Sequence, residues 1–127
     1  MSALILDAGA LIAVDRDDRA VVARLRVASQ NGLALRTNAM VVAQVWRDTQ
    51  GRQATLARLL HAVDVRAVDQ VAGRDAGELV GKAGTSDTVD ATVVLLAGHG
   101  DRILTSDPDD LQHLAATAGI KAIIIHC

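Results

Sequence analysis

At 127 residues, half of them hydrophobic, the chain fits one domain with ample material for a single core. A net charge of −2 excludes a strongly basic nucleic-acid coat, and the single cysteine, Cys127, excludes an internal disulfide and leaves the cytoplasm as the expected compartment. No apolar run approaches the roughly 18 residues that span a bilayer, and MSALILD has no basic segment before its first acid, so neither a membrane anchor nor a secretory leader is expected.

Residues 3–6, ALIL, bounded by Asp7 and Gly9, predict a buried strand that ends at Asp7. Residues 17–30 start acidic and place Val21, Val22, Leu25 and Ala28 at helical spacing, with Asn31 and Gly32 as the stop. LALRT at 33–37 reads as a second strand, Asn38 as the cap of a helix through 49, and after Gly51 a further helix sets Leu56, Leu59, Leu60 and Val63 along one face. VDVRAV at 63–68 alternates like a third strand. A glycine-interrupted helix over 69–82 follows, then a strongly apolar one over 87–98, the strand RILT, a helix over 108–118 opened by Pro108, and a last strand, AIII, at 122–125. The alternation predicts a three-layer α/β/α fold around a central parallel sheet, in a single domain over 1–127 without repeats or low-complexity linkers. With one Trp, no Phe and no Tyr, its core must be built from Ala, Val, Leu and Ile.

In a parallel sheet, ligands bind beyond the carboxyl ends of the strands. Asp7 ends the first strand and Asp107 follows RILT, while Asp87 and Asp90, like Asp107 and Asp110, are three residues apart and share a face of a first helical turn. The plainer reading of these pairs is capping and complementation of the helix dipole. Asp7 resists that reading, because it follows a buried run, opens no evident helix and has no cation closer in sequence than Arg16. A divalent ion would relieve the repulsion and supply the missing charge. Ser106 lacks a nucleophile-elbow pattern, and His61, His99, His113 and His126 form no ligand spacing.

LILDAGALIA, VVAQVWRD, SDTVDATVV and ILTSDPDDL together resemble the PIN-domain ribonucleases, whose best-known bacterial members are VapC-like toxins of toxin-antitoxin pairs. The resemblance spans essentially the whole chain. It implies a PIN-like parallel α/β fold, an acidic pocket for Mg²⁺ or Mn²⁺, and hydrolysis of RNA phosphodiesters. Matched to the family pattern, Asp7, Asp90 and Asp107 are the catalytic and metal-holding acids, Asp110 is an additional one, and Thr105 is the polar residue that orders the site. The sequence departs at Gln44, where the family usually carries a glutamate; an amide ligates a hard cation without contributing charge, so affinity is expected to fall. Asp48, one helical turn further on, is the expected substitute, and an ordinary solvated helix position is the alternative for Gln44.

The expected mechanism is metal-assisted hydrolysis, with Asp7, Asp90 and Asp107 on one ion and Asp87 or Asp110 reaching it through water or serving a second. The alternative is a catalytically weak PIN-fold module that binds metal or an antitoxin-like protein without efficient cleavage, and Gln44 is its support. A phosphoacceptor receiver domain fits poorly, because Lys121 begins a late strand instead of ending one. Of 13 cations only Lys82 and Lys121 are lysines. Coding bias explains that imbalance as well as phosphate recognition does, so Arg16, Arg19 and Arg47 are weak candidates for RNA contact. Trp46 is expected in the core. An antitoxin protein, an RNA substrate and a second copy of the chain in a homodimer are the expected partners, with no membrane.

Overall fold

A computed structural model describes residues 2–127, in which five parallel strands alternate with seven helices. Strand β1 (Ala3–Leu6) is buried at all four positions, as an apolar run in the middle of a parallel sheet must be. It pairs on one side with β2 (Ala34–Asn38), which pairs with β3 (Asp64–Arg66), and on the other with β4 (Arg102–Thr105), which pairs with β5 (Ile123–His126). The sheet order β3-β2-β1-β4-β5 puts the wholly apolar β1 at the centre and leaves β3 and β5 as edges. The fold is the α/β arrangement around a central parallel sheet expected from the sequence.

Helices α2 (Arg19–Gln30), α4 (Ala54–His61), α5 (Gln70–Ala83) and α7 (Pro108–Ala118) fall where the periodicity places them. Asp18 caps α2 through Ala20 and Val21, and Asp69 caps α5 through Ala72. Three expectations need correction. Asp7 does open a helix, α1 (Ala8–Asp15), and its carboxylate accepts the Ala8 N–H. Helix α3 ends at Val45 instead of 49, because Trp46 turns extended at φ −74° and ψ 124°. The apolar helix α6 (Thr88–Val94) stops short of 98 and continues as turns.

The core joins β1 and β4 to Leu11, Val41, Leu56, Val93, Val94, Leu111 and Leu114, with no aromatic ring among them. Trp46 lies outside it, 37% exposed. At the amino ends of the central strands, the buried Asp101 accepts from Ala3 N–H at 2.9 Å and Gly98 N–H at 2.8 Å, tying β1 to the turn before β4. Among the described residues no helix is long and apolar enough to cross a membrane.

Candidate metal centre

The chain runs outward from β1 in two directions, to β2 and β3 on one side and to β4 and β5 on the other. Between β1 and β4 the crossovers diverge, opening a crevice at the carboxyl ends of those two strands. Asp7 and Asp107 follow those strands, so topology alone delivers two carboxylates to the crevice. Asp7 is held on both oxygens: Oδ1 accepts from the Ala8 N–H at 2.7 Å and Oδ2 from the Thr105 hydroxyl at 2.7 Å. The same hydroxyl oxygen accepts the Asp107 N–H at 2.9 Å, so Thr105 spans the two strand ends from a fully buried position. Their approach requires Gly9, since a methyl group there would overlap the Ser106 side chain and stand 2.9 Å from the Ser106 backbone nitrogen.

Helix α6 brings the next acids. Asp87 is its N-cap and accepts the Asp90 N–H at 3.0 Å, as the capping reading expected. Asp90 is 8% exposed, and among the described residues its carboxylate accepts no hydrogen bond. Burial first, then the charges of Asp7, Asp87, Asp107 and Asp110, push its pKa from 3.8 to about 7. Asp107 occupies the N-cap position of α7 but makes no side-chain cap bond. It is instead hydrogen-bonded to Asp110, which raises its pKa, with burial adding to the effect. Ligand oxygens of Asp90, Asp107 and Asp110 lie within 4.8 Å of one another. Asp7 stands outside this triplet yet near enough to be the leading charge felt by Asp90.

Gln44 is exposed on α3 and lines a groove of about 600 Å³ with Arg16, Arg47, Asp48 and Arg52. Asp48 cannot replace it on the same helical face, because α3 has ended; its oxygens accept the N–H groups of Arg52 at 2.8 Å and Gln53 at 3.3 Å. Arg19 opens α2, exposed and outside that groove. Trp46 packs beside Ala57, Leu60 and His61 of α4. His113, one turn after Asp110 on α7, bonds the Ala83 carbonyl, and His99 accepts the Lys121 N–H.

Sequence reasoning missed the polar layer beneath the acids. Thr37 donates to the Leu6 carbonyl at 2.8 Å, and Asn38, besides capping α3 through Met40 and Val41, donates to Thr92 Oγ1 at 3.0 Å. These bonds tie the ends of β1 and β2 to α6 and so fix where Asp90 stands. The polar pair that closes β2, Thr37-Asn38, was the available signal. For Thr92 there was none.

No family model matches the chain, and no curated protein matches it. Among solved structures it is similar to a chain of VapBC2 from Rickettsia felis bound to a DNA fragment from their promoter, with a TM-score of 0.72 and 11% identity over 98% of both chains. It is also similar to a chain of DNA-bound VapBC from Salmonella typhimurium, with a TM-score of 0.65 and 13% identity over 98% of both. At those identities the likeness is one of fold.

Proposed function

We propose that the protein is a divalent-metal-dependent endoribonuclease, the VapC-like toxin of a toxin-antitoxin pair, acting in the cytoplasm. The observation that carries this reading is the convergence of Asp90, Asp107 and Asp110 within 4.8 Å, with Asp7 beside them. Among the described residues the only ion pairs join Asp64 to Arg36 and Arg66, so no arginine or lysine neutralises the cluster. Hard oxygen donors without a protein counter-charge fit Mg²⁺ or Mn²⁺, which such carboxylate sets bind with several waters retained. When bound, the ion supplies positive charge to the scissile phosphate and lowers the pKa of a water at the site.

The chain's own part is positional. Thr105 holds Asp7 through a hydrogen bond to Oδ2, which leaves a further acceptor site on each oxygen of that carboxylate. Asp90, with a pKa near neutrality, and Asp107, whose pKa its hydrogen bond with Asp110 raises, give up their protons to become ligands, so affinity rises with pH. Asp87 stays committed to its cap and acts on Asp90 through charge. Gln44 and Asp48 contribute no carboxylate to the triplet, which supports a second reading: a weak site retained for binding metal or an antitoxin-like protein. The two solved structures named above are VapBC assemblies, which supports an antitoxin partner; a homodimer is part of the same proposal.

The test is cleavage of a structured RNA pool with Mn²⁺, with Mg²⁺ and with EDTA, beside Asp7→Asn. Metal-dependent cleavage lost in the variant supports the nuclease. Folded protein that cleaves under no condition moves the assignment to the binding module, and Gln44→Glu then reports whether the missing acid is responsible.

A further inference from the structure

The groove beside Gln44 is built by a loop with an unusual anchor. Gln53 Nε2 donates to Asp15 Oδ2 at 3.1 Å and to the Val45 carbonyl at 3.0 Å, while its Oε1 accepts the Arg47 N–H at 2.6 Å. One amide thus ties the end of α1, the end of α3 and the start of the loop over 46–53. The two acids of the groove are used up in the same network, Asp15 by Gln53 and Asp48 by the backbone of Arg52 and Gln53. Among the described residues neither pairs with an arginine. Arg47 donates to the Ala43 and Trp46 carbonyls through one terminal nitrogen, and among the described residues Arg16 and Arg52 make no side-chain hydrogen bond. Three guanidinium groups therefore border one polar groove against two carboxylates whose oxygens are already occupied by neutral donors, leaving the arginine N–H groups free of salt bridges among the described residues.

We propose that this groove holds the phosphate backbone of a single-stranded segment of the RNA, gripped by Arg16, Arg47 and Arg52, and that Gln53 is the residue that positions them; the proposal rests on the ribonuclease reading above. Guanidinium forks match phosphate bidentately, and an amide network that satisfies the local acids keeps them from competing. Helix α1 links the two sites: Asp7 caps its start, and Ile12, Asp15 and Arg16 toward its end line the groove. Asp7 precedes that helix and Arg16 follows it, and at 1.5 Å per residue the two are about 13 Å apart. The exposed Ile12 lies on the path between them and lines the groove. A strand cut at the acids thus has its neighbouring phosphates within reach of the arginines.

The experiment measures binding of a ten-nucleotide single-stranded RNA to the Asp7→Asn protein in EDTA by fluorescence anisotropy across a salt series, with no cleavage required. Arg16→Ala and Arg52→Ala are expected to weaken binding about tenfold each and to reduce the salt slope by about 0.7 per arginine. Arg52→Lys should recover the slope but not the full affinity. Gln53→Ala is expected to lose affinity to the same degree without changing charge, whereas unchanged Kd with a lowered Tm makes it a merely structural residue and overturns its assigned role. In protein with Asp7 intact, the arginine variants should raise KM and leave kcat alone. Cleavage with unaltered KM overturns the groove assignment while leaving the nuclease intact; arginine-dependent binding without any cleavage overturns the nuclease alone. Equal, arginine-dependent binding of polyglutamate assigns the groove to an acidic protein segment instead and overturns the RNA proposal.

Discussion

Asp90→Asn should make the metal-free protein more stable, and the gain should depend on pH. In the unfolded chain Asp90 ionises near 3.8, and in the fold near 7. Above both values the folded state bears the whole cost of a buried carboxylate surrounded by like charges. Between them that cost shrinks as pH falls, and below 3.8 it is gone, because both states are protonated. At 1.36 kcal/mol per pKa unit the full difference is roughly 4 kcal/mol; screening by water at the exposed Asp107 and Asp110 reduces it to about 2 kcal/mol. For a domain of this size that is a rise in Tm of about 7 °C at pH 8 in EDTA, falling to about 1 °C at pH 4. Thermal unfolding followed by circular dichroism across pH 4–8.5 reads both numbers. Excess Mn²⁺ should reverse the order, since the parent chain gains a ligand's worth of binding free energy that the amide lacks. An asparagine variant less stable than its parent at pH 8 in EDTA, or a difference that does not vary with pH, would refute the electrostatic account of the cluster.

Gly9→Ala should lower stability by about 2 kcal/mol, read from the urea midpoint, because the added methyl meets Ser106 side chain and backbone together. Ser106→Gly in the same chain should restore only part of the loss, since the backbone nitrogen remains in the way. Thr105→Val removes the hydroxyl shared by Asp7 and the Asp107 N–H in a fully buried position, and should cost about 2 kcal/mol in urea unfolding and abolish metal-dependent cleavage. Gly77→Ala, in the middle of α5 with nothing within 4 Å of the new Cβ, should stabilise the chain by about 0.5–1 kcal/mol in the same assay.

Strands β1, β4 and β5 were legible as short apolar runs closed by polar or glycine-containing turns and β3 by its alternation, and α2, α4 and α7 because one side of each is polar. Helix α1 escaped notice for the opposite reason. AGALIAV carries no polar stripe at any spacing, so nothing in it distinguishes a helix lying on the sheet from a loop. The end of α3 was hidden because VVAQVWRD keeps helical residue types past the point where it stops; what stops it is the Gln53 network, reached from eight residues away. Of the candidate site, the acids at the strand ends could be found from sequence because topology sends them there. That Asp107 would forgo its cap for Asp110 while Asp87 kept its own was not legible, as the two stretches share the same Asp-x-x-Asp spacing.

The hydroxyl of Thr105 and the carboxylate of Asp7 are separated by 98 positions in the chain, and so are Ala3 and Asp101 at the other end of the same strand pair. A ribosome adding about 5–20 residues per second therefore needs roughly 5–20 s between making the first half of this clasp and making the second. Throughout that interval β1 can pair with β2, but its other edge waits, and the acids remain dispersed. In a nascent chain the cluster of acids cannot assemble until β4 has emerged, which gives a cell that makes it a brief period in which the apolar strand is exposed and its carboxylates are still apart.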